Sequence, residues 1–295
     1  GTISGDYAGG ICGQYAGDNG TLTISNCTNE GAISGKNCGG ICGQYAGYNG
    51  TLTISNCTNE GAISGENSGG ICGQYAGYSG TLNIYDCTNE ATGTISGQSA
   101  GGICGSEADN YTIEGCNNSG DINAAYAGGI CGGRPLSGTI QYCWNTGIIG
   151  EGLDDNGDLK GGGGGICGLR AGRDSNHAQI SYCYNRGEIS SKNSGGICGL
   201  YAGSVDTNTG GTSSSLTIFN CYNNASGPDN DADGTSNVDG QGGILSPGAG
   251  LWTNQDPNEG GTINVYNCWS KGSNLKDGII EYVGGLGTLN VQNCY

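Results

Sequence analysis

Along most of the chain the apolar residues stand singly among polar ones: Leu22 and Ile24 in Thr-Leu-Thr-Ile-Ser, Ile33 in Gly-Ala-Ile-Ser, Ile11 in Gly-Gly-Ile-Cys-Gly. Their period is two rather than 3.6, and Gly and Asn separate the runs, which predicts short strands joined by tight turns. No segment carries an apolar stripe at helical spacing. With 65 glycines and no methionine, helices are not expected.

The strands recur. Residues 10–39 and 40–69 are nearly the same segment written twice, and weaker copies fill the rest. Two landmarks alternate throughout. A Gly-Gly-Ile-Cys-Gly turn places Cys12, Cys42, Cys72, Cys104, Cys131, Cys167 and Cys198, then decays to Leu245 and Gly287. An Asn-Cys or similar step places Cys27, Cys57, Cys87, Cys116, Cys143, Cys183, Cys221, Cys268 and Cys294, so that only Cys38 falls outside both series. A unit of this length cannot bury its apolar face alone and must stack on its neighbours. Pairing each strand in parallel with its copy one turn later gives an all-β fold, a parallel β-solenoid (β-helix). The landmarks imply about nine coils, and at about 4.8 Å per coil a rod about 43 Å long. One repeat-built domain is expected over 1–295, with regular coils in 1–148 and coils carrying long loop insertions in 149–295.

Stacking places like residues above one another. Ile11, Ile41 and Ile71 form one expected ladder, Ile24, Ile54 and Ile84 a second, and Ile33, Ile63 and Ile95 a third, a thin aliphatic core. Asn26 and Asn56 share the strand parity of Ile24 and Ile54, so an inward asparagine ladder is expected there, its amides bonding along the stack. Tyr15, Tyr45 and Tyr75 are expected to stack at a corner.

A Gly-Gly-hydrophobic-X-Gly turn, an I-X-N-C-aromatic strand and a G-X-I-S-G strand recur in order, most clearly in ISYCYNRGEISSKNSGGICG at 180–199 and IQYCWNTGIIG at 140–150. This pattern resembles the GLUG repeat of secreted and surface-anchored bacterial proteins, and the resemblance covers nearly the whole chain. It implies a β-solenoid and a place in stalks or adhesive arrays of large surface proteins. The family's usual valine in the Gly-Gly motif is Cys here, so the thiols are this chain's own feature.

The 17 cysteines admit two readings. In one they are small apolar residues filling ladder positions, as Leu245 in a cysteine slot suggests. In the other they cross-link coils in an oxidising compartment, since ladder partners about 4.8 Å apart lie within the Cα range of a disulfide. Cys38 aligns with Ala8, Ser68, Ala100 and Ser194, whose polarity reads as an exposed turn and would leave its thiol open to an intermolecular bridge. Zinc is not expected, because Cys38 and Cys42 are the only close pair and no histidine accompanies them.

Nine basic against 26 acidic residues give a net charge of −17, which repels nucleic acid and anionic membranes. No apolar run is long enough for membrane insertion. The chain opens at Gly1 within a half repeat, without a signal peptide, as expected of a mature or excised piece of a longer product. An extracellular or cell-surface location follows, or the exterior of a virion. Sequons at Asn19, Asn49, Asn110, Asn117 and Asn224 matter only for a eukaryotic or viral source.

Insertions at 149–163, 202–215, 225–240 and 247–261 break the regularity, and on a solenoid they should gather into two groups of loops, where binding is commonly found. One loop carries Asp229, Asp231, Asp233 and Asn237, alternate ligands for a hard cation such as calcium, with Gly234 for the turn. Gly240 replaces the bidentate Glu such a site ends on, and Asp154, Asp155 and Asp158 make a poorer set. Catalysis is not expected: His177 lies beside Asp174 and Ser175, too near in sequence to converge, and no nucleophile elbow is present. An enzyme acting on polysaccharide would need a carboxylate or basic array that the repeats lack, and the Thr21/Thr23, Thr51/Thr53 and Thr81 lattice is short for an ice-binding face. The expectation is a non-catalytic structural or adhesive protein whose partner is itself, head to tail, or a larger surface polymer. The alternative is a glycan- or host-binding module using the C-terminal loops, with Trp144, Trp252 and Trp269 as candidate contacts.

Overall fold

The computed structural model describes residues 1–153, 159–175, 177–191, 193–205, 214–225, 241–246, 261–270 and 288–295. Within them every regular element is a strand, and the strands are short because left-handed residues interrupt them. In one representative coil Thr51–Ser55 ends at Asn56, whose φ is 52°. Thr58–Asn59 and Ile63–Ser64 follow, and the chain turns again at Asn67, φ 57°, before Gly69-Gly70 opens the next coil. Such a conformation costs an L-residue about 1–2 kcal/mol, least for Asn. The corners therefore line up in columns: Asn26, Asn56, Asp86, Tyr142, Tyr182, Asn220, Asn267 and Asn293 all have positive φ.

Three parallel sheets, of nine, eight and six strands, run along the stack. The longest sets Ile24, Ile54, Ile84, Ile113, Ile140, Ile180, Ile218 and Val265 in one register. The shortest does the same for Ile3, Ile33, Ile63, Ile95, Ile122 and Ile149. Ile11, Ile41 and Ile71 are tied by backbone hydrogen bonds of 3.0–3.1 Å from coil to coil. The fold is a parallel β-solenoid. Two small pairs stand outside these sheets, Gly152–Leu153 against Leu159–Lys160, antiparallel, and Ser194–Gly195 against Gln241–Gly242. The remaining parts of the insertions, 154–158, 206–213, 226–240 and 247–260, lie outside the described residues.

The asparagine ladder is real but sits three residues beyond the expected position. Asn26 is exposed at a left-handed corner, φ 54°. That corner resets the alternation, so Cys27 turns inward, Thr28 outward and Asn29 inward. The buried column is Asn29, Asn59, Asn89, Asn118, Asn145, Asn185 and Asn223. From Asn29 to Asn145 each amide Nδ2 donates to the next Oδ1 at 2.7–2.9 Å. The same nitrogens donate to Gly31, Gly61, Gly93, Gly120 and Gly147 carbonyls at 2.8–2.9 Å. The amides reach across to the second glycine of the Gly-Gly turns: a Cβ on Gly40 would stand 2.5 Å from Asn59 Oδ1. They divide the interior into a large cluster of Ile, Leu and Cys and a smaller one built on the Ile33 ladder.

Cys38 is also not where its alignment places it. It is 0 % exposed and packs in the smaller cluster, its Sγ 3.4 Å from the Gly5 and Lys36 carbonyls. The polar residue in the next coil is buried for a reason: Ser68 Oγ accepts from Cys38 N at 3.1 Å and donates to Glu66 O at 3.3 Å. Polarity there marks an internal hydrogen bond.

Removing one amide orphans its neighbours above and below. Asn89→Ala should cost about 2–4 kcal/mol, because a buried donor or acceptor left unpaired costs about 1–3 kcal/mol. Asn56→Gly, at the corner, should cost nothing. Urea denaturation of the two variants checks this, and equal midpoints for both would refute the assignment of register to the buried column.

Candidate functional site

The cysteines form two continuous columns in the larger cluster. Cys12, Cys42, Cys72, Cys104, Cys131, Cys167 and Cys198 bridge in parallel, and Leu245 follows Cys198. The second column runs from Cys27 through Cys57, Cys87, Cys116, Cys143, Cys183, Cys221 and Cys268 to Cys294, each just past the left-handed corner. There every Sγ donates to the carbonyl two residues upstream at 3.2–3.4 Å. In the first coils it also accepts from the coil before, Cys27 N to Cys57 Sγ at 3.5 Å and Cys57 N to Cys87 Sγ at 3.4 Å. A thiol is small enough for the corner and polar enough to occupy both backbone groups. All 17 cysteines are free thiols in this structure. Burial pushes the Cys143, Cys167 and Cys221 thiols well above the ordinary thiol value, and Cys38 upward as well.

Among the candidate contacts, Trp144 and Trp269 lie on strands, not loops. They belong to the outward column of the eight-stranded sheet, in register with Tyr184 and Tyr222. Trp144 stacks on Tyr184 at 5.8 Å between centroids and Tyr222 on Trp269 at 4.3 Å, while Arg186 lies 5.1 Å from the Tyr184 ring. Tyr142 and Tyr182, stacked at 5.0 Å, occupy the adjoining corner. In the earlier coils the same outward column holds Thr28, Thr58, Thr88 and Asn117. Trp252 and the candidate calcium ligands Asp229, Asp231, Asp233 and Asn237 lie outside the described residues, as do Asp154, Asp155 and Asp158. Among the described residues no three metal-ligating side chains converge.

His177 is exposed and lines a shallow depression of about 290 Å³ with Thr139, Gln179, Ser215 and Thr217. Ser175 is buried, its Oγ 3.1 Å from Ser137 Oγ and accepting from His177 N at 3.1 Å. The Thr23 column continues as Thr53, Asn83, Thr112, Thr139, Gln179 and Thr217, so hydroxyls share it with amides.

One site carries no motif. Tyr15, Tyr45 and Tyr75 stack at a corner at 5.1 and 4.9 Å, and beside them Gln14 donates to Gln44 and Gln44 to Gln74, each at 3.0 Å. Both columns then change residue type. Glu107 follows Tyr75, takes its hydroxyl hydrogen bond, and pairs with Arg134 at 3.2 Å. Ser106 and then Gly133 follow Gln74. Where the side chains shorten, a polar cleft of about 180 Å³ opens among Glu66, Gln74, Gln98, Ser106, Glu107 and Arg134. The signal for it in the sequence is the loss of the Gln-Tyr pair in the coil that reads Ser106-Glu107.

No family model, curated protein or solved structure matches the chain.

Cys12, Cys27 and Cys294 alone are partly exposed. A thiol reagent should therefore label these three in the native protein and the others only after denaturation, as peptide mass spectrometry would read out. The raised buried thiols keep their protons when those of the unfolded chain ionise. Their contribution to stability is therefore fully present below about pH 8.5 and is lost as pH rises beyond it, seen as a falling urea midpoint between about pH 8.5 and more alkaline buffer.

Proposed function

We propose that the chain is a non-catalytic structural or adhesive β-solenoid that works outside the cell or on its surface, as a rod, stalk or filament unit. The carrying observation is the run of side-chain ladders from coil to coil: the chain's length is spent on a stiff shaft with a regular exterior. The net charge of −17 keeps such a shaft soluble and apart from nucleic acid. The likeness of its turns to the GLUG repeat supports a surface role, with the thiol columns as a departure from that pattern.

Coil stacking also supports self-association. Ile11 is 45 % exposed on one outer coil and Val291 43 % on the other. A parallel edge accepts another coil whether it comes from further polypeptide or from a second copy, and a second copy added in this way is head to tail, so growth does not close.

A second reading, glycan or host binding, is favoured by the aromatic column through Trp144, Tyr184, Tyr222 and Trp269. Their faces are largely spent on each other, which leaves edges, hydroxyls and the 41 % exposed Trp269 to meet a ligand. For that reason the structural reading stands first.

Negative-stain electron microscopy of the purified chain, with and without reductant, tests the first reading. Filaments are expected, and filaments lost in reductant would point to Cys12, Cys27 or Cys294. Single short rods at every concentration would overturn self-assembly. On the second reading, Trp269→Ala should abolish retention on a glycan array and leave rod length unchanged.

A further inference from the structure

We propose that the polar cleft where the glutamine column ends binds a neutral polyhydroxy ligand, a single sugar unit. It arises from the way ladders stop. Gln14, Gln44 and Gln74 satisfy one another down the column, each acceptor filled by the donor before it. Gln74 is the last: it is 8 % exposed and accepts from Gln44, and the position that would hold a fourth glutamine is Ser106. Ser106 Oγ is turned instead to Asn67 Oδ1, 2.9 Å away. Among the described residues the Gln74 amide nitrogen donates to no acceptor, and Gln74 lines the cleft.

The neighbouring column shortens at the same level, from Glu66 to Gln98 to Ala125, so the space is bounded by three coils. The stepwise loss of side chain produces a volume of about 180 Å³, below the range of drug-sized pockets and suited to one ring with its hydroxyls.

The charges select the ligand. Glu66 is held by Lys36 at 3.0 Å and Glu107 by Arg134 at 3.2 Å. Two carboxylates repel an anion, and their paired state leaves no net demand for a cation. What remains is a mixed set: amide donors from Gln74 and Gln98, and carboxylate oxygens as acceptors. A hydroxyl both donates and accepts, so vicinal hydroxyls match such a set where an apolar or ionic group would leave part of it unsatisfied. The proposal is independent of the aromatic column, which lies on later coils, and of the shaft role.

Ser106→Gln tests it by restoring the residue that the repeat itself uses. The new amide would accept from Gln74 Nε2, continue the column and fill the cleft. Nitrogen-15-labelled full chain, parent and variant, is titrated with glucose, galactose, mannose and N-acetylglucosamine while the Gln74 and Gln98 side-chain amide resonances are followed. Expected is a saturable shift with at least one sugar, with a Kd of about 1 mM or below, weakened at least about tenfold in the variant, whose urea midpoint is equal or higher. Absence of saturable shifts with all four sugars would overturn the proposal, and so would equal binding by parent and Ser106→Gln. If Ser106→Gln does not fold, Gln98→Ala, at the half-buried wall, serves in its place with the same expected loss.

Discussion

The buried amide column from Asn29 to Asn223 is the interaction on which the stacking depends. Apolar ladders tolerate some slippage, because an isoleucine gains nearly as much from a neighbour slightly above as from one level with it. An amide inside the protein does not, since each nitrogen must meet the next oxygen and the adjacent glycine carbonyl together. Partners in this column are 27 residues apart at Asn118 and Asn145 and 40 apart at Asn145 and Asn185, yet the bonds are 2.7 and 2.9 Å. Coil length is therefore free to vary at the corners, provided the chain re-enters register at the asparagine. That is how insertions accumulate in the second half without breaking the shaft. It also explains the Gly-Gly turns, whose second glycine gives the amide its space.

The cysteines extend the same logic to the corners. A left-handed residue turns the chain and leaves backbone groups facing inward with no strand to receive them. A thiol placed directly after the turn answers this, donating to the carbonyl two residues back and, at Cys57 and Cys87, accepting an N–H from the previous coil. Valine would fill the volume without the hydrogen bonds, and serine would supply them at a greater desolvation cost. The column from Cys27 to Cys294 thus has a reason in packing and corner chemistry.

The fold was legible because repetition made it redundant: the ladders of Ile11, Ile24 and Ile33 need only the period and the alternation, and both are plain. What failed did so for local backbone reasons. Alternation extended through Asn26 misplaces the amide ladder, since nothing in a period-two count announces a left-handed corner. Ser68 and its equivalents suggest exposure at Cys38, yet a small hydroxyl is as content against a buried N–H as against water. Trp144 and Trp269 look like loop residues until their register with Tyr184 and Tyr222 is seen, because the column they join holds threonine and asparagine elsewhere. The cleft beside Gln74 has no motif at all. It is defined by what the next coils omit.

In a solenoid built of like upon like, each side chain finds its partner in its own copy, and a column that continues unchanged has nothing left to offer a ligand. Where a column changes residue its groups meet new partners or none: Tyr75 meets Glu107 and Asn117 meets Thr88, while Gln74 has Ser106 in place of a fourth glutamine. A regular exterior is therefore chemically quiet, and specificity can be introduced by substituting a single coil while the amide and isoleucine ladders continue beneath it. The core ladders and the surface columns are separable in the sequence. The surface ladder of glutamines ends at Gln74 while the asparagine column beneath it continues through Asn89 to Asn118.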